Sequence, residues 1–153
     1  MRSYVDDGLA AKVHAAGGEI FAISSEPQAL SDRAKAEWSL DFETLGDPHH
    51  EIAGTCRERG WLDLFVNQRL DFLKQSTKDA KDWKPTHPKG YFQPGVLALN
   101  SEGRVLYRWR SVPTHNNMGG AAGRPLAGYV WSGIERALTE SPHETDASLD
   151  ADP

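Results

Sequence analysis

A chain of 153 residues, 39% hydrophobic and 25% charged, is long enough for one domain with a substantial core and ordinary enough in composition to fold. Its formal net charge of −5, with no basic stripe along the sequence, argues against a nucleic-acid partner. No apolar run approaches the ~20 residues that span a bilayer. Residues 1–7 hold no apolar signal core, so a cytoplasmic protein is expected. The single cysteine, Cys56, excludes an internal disulfide and a thiolate metal cage.

Val5, Leu9 and Val13 form one apolar stripe and predict an opening helix that stops at Gly17-Gly18. The apolar run Glu19–Ser24 comes next and predicts a buried strand of a parallel sheet. Ser25 or Glu26 caps a second helix, with Pro27 in its first turn and Leu30, Ala34 and Trp38 on its inner face. Leu40–Leu45 is a weaker strand. Asp47-Pro48 starts a third helix bearing Ile52 and Cys56, and Gly60 ends it. Leu62, Val66, Leu70 and Leu73 lie at helical spacing and predict a fourth helix within a helix-and-loop insertion over 61–90. Val96–Leu99 and Val105–Tyr107 flank Asn100-Ser101-Glu102-Gly103 and predict a β-hairpin. A glycine- and asparagine-rich loop runs over 113–124. Pro125 then opens a last helix with Leu126, Val130, Ile134 and Leu138 on one face. The acidic tail 141–153 is expected to be disordered, leaving 1–140 as the folded domain. Alternating α and β elements ending in a hairpin and a helix imply one layered α/β domain.

Three segments carry a resemblance: Phe21–Pro27, Leu45–Pro48 and Gln93–Tyr107. In that order and spacing they resemble the alkyl hydroperoxide reductase/thiol-specific antioxidant family, in its divergent peroxiredoxin-like branch, from residue 2 to about residue 138. The resemblance implies a thioredoxin-like three-layer α/β/α sandwich with a mixed sheet. In that family a strand leads into a helix whose N-terminus carries the active cysteine. Here Arg2-Ser3-Tyr4-Val5 resembles the stretch immediately after that cysteine, and Met1 stands at its place. The first strand and the active-site turn are thus missing. That strand is central in the family's sheet, and its loss exposes two inner edges of unpaired backbone groups. An N-terminally shortened chain is expected rather than strands that close up in an altered way.

The resemblance implies a cis peptide bond before Pro94. It also implies a pocket between Pro94 and the glycine-rich loop, for which Arg108, Asn117, Gly119, Gly120 and Arg124 are the candidate lining residues. Arg124 and the start of the last helix suit an anion such as a carboxylate or phosphate. Cys56 is the only candidate thiolate, but its mid-helix place beside Ile52 is that of a small buried hydrophobe. His49-His50-Glu51, His87 and His115 show no metal-binding spacing, so no metal and no cofactor are expected. Trp38, Trp61, Trp83, Trp109 and Trp131 suit core or loop anchors.

Two functions lead for a chain with these residues, with a different small-molecule enzyme built on the same fold as a third, since fold does not fix chemistry. The first is the thiol-dependent reduction of peroxides or disulfides implied by the resemblance, with a thiol reductant and a small peroxide as partners. The chain is expected to be inactive in that chemistry because the helix N-terminal cysteine is absent. The second is a non-catalytic thioredoxin-fold module that holds a peptide or small anion in the Pro94 pocket. No sequence feature marks a membrane contact or an oligomer interface.

Overall fold

The computed structural model describes Tyr4 and residues 7–68, 87–117 and 123–140. It is a mixed α/β domain in which the described residues form four helices and three two-stranded sheets. In chain order they are α1 (Leu9–Ala15), β1 (Phe21–Ser24), α2 (Gln28–Trp38), β2 (Glu43–Gly46) and α3 (Glu51–Glu58). Then come β3 (Val66–Asn67), β4 (Tyr91–Phe92), β5 (Gly95–Leu99), β6 (Val105–Arg110) and α4 (Ala127–Thr139). No described helix is long and apolar enough to cross a membrane.

β1 and β2 pair in parallel, Phe21 against Glu43 and Ser24 against Gly46, with α2 as the crossover. Gln28 locks that crossover: its Oε1 accepts Gly46 N–H at 2.8 Å and its Nε2 donates to Thr44 C=O at 2.8 Å. Thr44 Oγ1 in turn donates to Ser31 C=O at 3.1 Å. The inner face of α2 therefore turns on buried Ser31, and Trp38, expected inside, is 43% exposed.

The expectation of a fully buried β1 is corrected. Ala22 faces Ala10, Leu40 and Phe42, whereas Phe21 is 53% and Ile23 42% exposed. Among the described residues only one face of this strand is covered, so alternate side chains are half-buried.

β5 and β6 form the expected hairpin, Gly95 opposite Arg110 and Ala98 opposite Tyr107, with a register irregularity at Ala98/Leu99. Asn100 organises its turn, its side-chain oxygen accepting Glu102 N–H at 3.0 Å and Arg104 N–H at 2.8 Å. Gly103 supplies the left-handed residue at φ 81°.

α4 packs on this hairpin through Ala127, Val130, Ile134 and Ala137, against Leu9, Leu106 and Tyr107. The predicted stripe is thus half right. Leu126 and Leu138 lie on the solvent side, 73% and 52% exposed, and the two alanines take the contacts expected of them. Burial, helped by the nearby Tyr129 and Tyr4 hydroxyls, pushes the Tyr107 phenol up to about 12. An unfolded tyrosine loses its proton near pH 10 while the folded one retains it. Folding stability is therefore expected to fall as pH rises from about 10 to about 12. Urea-denaturation midpoints across that window should show a shallower decline in Tyr107→Phe than in the parent.

The predicted fourth helix is also corrected. Residues 62–65 form no helix, and Val66–Asn67 pair antiparallel with Tyr91–Phe92. Leu62 and Leu64 are two apart, which places both on one side of an extended chain, and there they close over Gly95. Leu70 and Leu73 lie outside the described residues, as do most of the insertion and the tail from 141.

Candidate functional site

Parallel strands end together, and the crevice beyond their carboxyl ends is where open α/β sheets place ligands. Here β1 and β2 end at Ser24 and Gly46, and the turns after them meet β4. Asp47 N–H donates to Ser24 C=O at 2.7 Å, tying the two strand ends together. The buried Asp47 carboxylate accepts Glu51 N–H at 2.7 Å and Ala53 N–H at 3.0 Å, so it caps α3 across the left-handed His50, φ 59°. Asp47 thus serves the helix start as expected, but the helix begins at Glu51 and not at Pro48, with His50 in the N-cap position.

His50 and β4 close the site. His50 Nε2 donates to Gly90 C=O at 3.3 Å, and its ring lies 4.6 Å from that of Phe92. Phe92 N–H donates to the hydroxyl of buried Ser25 at 3.3 Å. Gln93, 1% exposed, donates through Nε2 to Tyr91 Oη at 3.1 Å, and Asn67 Nδ2 donates to the same oxygen at 3.2 Å. A polar layer of Ser25, Asn67, Tyr91 and Gln93 therefore lies directly before Pro94. Sequence reasoning marked Pro94 and passed over these four. Ser25 and Gln93 lie within the segments that carried the resemblance, but Asn67 joins only through the β3–β4 pairing, which the helical spacing of 62–73 concealed.

The expected pocket residues are not all brought together. The Gln93–Pro94 bond is trans, since the described residues contain no cis peptide, and the cis expectation is corrected. Pro94 C=O accepts Ser111 N–H at 2.8 Å, so β6 ends, and the loop after it starts, beside Pro94. Arg108 points the other way, onto the 60–65 segment, where its Nη1 donates to Gly60 C=O at 3.3 Å. Arg124 lies by Tyr4, whose hydroxyl donates to Pro125 C=O at 2.9 Å on the α1–α4 side of the hairpin. Strand alternation thus puts Arg108 and Arg124 on opposite faces of the β5–β6 sheet. Asn117 belongs to a turn through its N–H to Thr114 C=O at 3.1 Å, and Gly119 and Gly120 lie outside the described residues. An open groove of ≈ 620 Å³ between α1 and α4, walled by Lys12, Trp131 and Glu135, includes none of these residues.

Cys56 occupies the second half of α3, away from that helix's N-terminus, and is half-buried. Burial first, and the Asp47 carboxylate second, push its thiol up. Both effects favour the protonated form, the opposite of what a nucleophilic thiolate needs. Arg57 and Arg59, near it in sequence, are not among the groups that set its protonation. Among the described residues no cluster of His, Cys, Asp and Glu is arranged to hold a metal.

Comparison of the chain with known protein families, characterised proteins and solved structures gave no match.

Proposed function

We propose that this chain is a peroxiredoxin-like domain on a thioredoxin-like scaffold, and that residues 1–153 are silent in thiol-dependent peroxide reduction. The scaffold reading is supported by the pairing pattern. A parallel pair, β1–β2, and an antiparallel hairpin, β5–β6, each leave an inner edge unpaired among the described residues, and Ile20, Val96 and Ala98 bring both to one core. That is the arrangement expected of a mixed sheet with a strand position between β1 and β5.

The silence rests on one observation: the only thiol of the sequence, Cys56, is set where its environment raises its pKa. At neutral pH Cys56 is expected to react with iodoacetamide at least about threefold more slowly than a cysteine in a short peptide. Hydrogen peroxide consumption in the presence of dithiothreitol should equal the protein-free rate and be unchanged in Cys56→Ser. Turnover that vanishes in Cys56→Ser overturns the reading.

A second reading is a non-catalytic binding module centred on Pro94. It is favoured by Ser111, whose buried hydroxyl beside Pro94 has no hydrogen-bond partner among the described residues. Such a hydroxyl costs about 1–3 kcal/mol unless something satisfies it. Binding of inorganic phosphate that survives Cys56→Ser and weakens in Ser111→Ala supports this module. Loss in Arg124→Ala alone moves the site to the start of α4.

A further inference from the structure

Three guanidinium groups stand in a row on the face of the β5–β6 hairpin turned away from α4. Arg108 and Arg110 are two apart on β6 and share that face. Arg108 Nη1 donates to Gly60 C=O at 3.3 Å, and Arg110 Nη1 donates to Asp63 C=O at 2.6 Å. Arg59 joins them from the end of α3, its guanidinium 5.0 Å from the centre of the Trp61 ring, while that of Arg110 lies 4.8 Å over Phe65. All three are exposed. Carbonyl and aromatic contacts hold these side chains in place without neutralising them. Among the described residues the one ion pair of the row is Arg110 with Asp63 at 3.7 Å, and neither Arg59 nor Arg108 has an acidic partner in ion-pair contact there. In a chain of net charge −5 this is a local reversal of sign.

The complementary charge is in the same chain. Residues 141–153 carry Glu144, Asp146, Asp150 and Asp152 and no Lys or Arg. Their attachment point lies at the end of α4, by the hairpin turn. Arg104 Nη2 donates to Ala137 C=O at 3.1 Å, holding the end of α4 against the hairpin turn. The neighbouring Gly103 packs so closely on Trp61 that a Cβ there would sit 3.2 Å from the ring. Trp61 in turn underlies Arg59. Thirteen extended residues reach roughly 40 Å, about twice the length of a six-residue strand. A tethered segment meets its site at an effective concentration in the ~mM range, so even weak pairing fills the site.

We propose that the row of Arg59, Arg108 and Arg110 is a docking surface for an acidic peptide segment, and that its occupant is residues 141–153 of this chain. The tail then guards the surface against other anionic chains, which bind in proportion as it is displaced. The full-length Cys56→Ser protein with a nitroxide on Ser148→Cys tests this through NMR line broadening. At low salt, broadening should concentrate on the amides of residues 59–61 and 108–110. It should fall at least about threefold in ~0.5 M NaCl, and equally in a tail carrying Glu144→Gln, Asp146→Asn, Asp150→Asn and Asp152→Asn. That variant alters none of the described residues. Broadening that is absent, evenly spread, or unchanged by neutralising the tail overturns the proposal. A labelled oligoglutamate peptide should bind the neutralised-tail protein at least about threefold more tightly than the parent. Equal affinity for the two, or tighter binding of an oligothymidylate of the same charge, also overturns it.

Discussion

Gly46→Ala is expected to lower folding stability by about 3 kcal/mol, a large effect for one methyl group. A Cβ at Gly46 would stand 2.5 Å from Gln28 N, 2.5 Å from Glu26 O and 2.8 Å from Gln28 Cα. All three are backbone atoms, so no rotamer change relieves the overlap. The 26–28 turn is itself fixed, Glu26 N–H donating to Ser24 Oγ at 3.2 Å and Leu30 N–H to Pro27 C=O at 2.9 Å. Relief means separating β2 from the start of α2, which breaks both Gln28 bonds to β2 and loosens the strand ends that carry Asp47. A urea-denaturation midpoint measures the effect, and Gly54→Ala in α3, where an added Cβ meets nothing within 4 Å, is the control. That control should gain up to about 1 kcal/mol from helix propensity. A Gly46→Ala loss below about 1 kcal/mol shows that the turn swings aside freely.

Gly133→Val is expected to be comparably severe, for a different reason. A Cβ at Gly133 would lie 2.6 Å from Tyr107 Cδ2 and 3.0 Å from Cε2, so α4 sits on the tyrosine ring with no space between them. The ring is enclosed by the Val130 and Ile134 core and has nowhere to retreat but outward. The cost is about 3 kcal/mol, with overpacking and the poor helix propensity of valine acting together. The Tyr107 phenol supplies a second readout. If the ring is pushed toward water, its titration followed by ultraviolet absorbance moves down from about 12 toward the ordinary value. Tyr107→Ala should rescue much of the loss in the double variant, because the clash and its partner disappear together. Unchanged titration together with a large stability loss would place the damage within α4 itself.

Local signals in the sequence were dependable where a short stretch decides its own conformation. The Asn100–Gly103 turn, the Asp47 cap and the Gly60 stop carry their geometry in adjacent residues, and each is present. Signals that depend on what lies across from a residue misled. Leu62 and Val66 satisfy helical spacing, yet Leu62 and Leu64 satisfy an extended chain equally well, and contact with Gly95 decides between them. Likewise Phe21 and Ile23 are apolar enough for a buried strand, but burial is set by the neighbouring layer. At the candidate site Pro94 was legible, whereas its polar neighbours Asn67, Tyr91 and Gln93 meet only through a pairing between distant segments. The arginine row escaped a linear search because Arg59 and Arg108 come from segments far apart in the chain, so no basic run exists for composition to reveal.

The division of the strands into separate pairs also governs how the chain acquires its structure. β1 and β2 are joined by one short helix, and β5 and β6 by a five-residue turn, so each ladder closes a small loop at little entropic cost. Chains built from such local closures form their parts early and assemble them late. Side-chain packing joins the β1–β2 half to the hairpin half, through Ile20, which borders both hydrophobic clusters, and through Leu9 and Ala10 of α1. Side-chain hydrogen bonds such as that from Phe92 N–H to Ser25 Oγ add to it, with no backbone ladder between the halves among the described residues. The two halves are therefore expected to open as separate cooperative units. Amide exchange from β1 and β2 reports the opening of one unit, exchange from β5, β6 and α4 that of the other, and Ile20 sets how far the two openings are coupled.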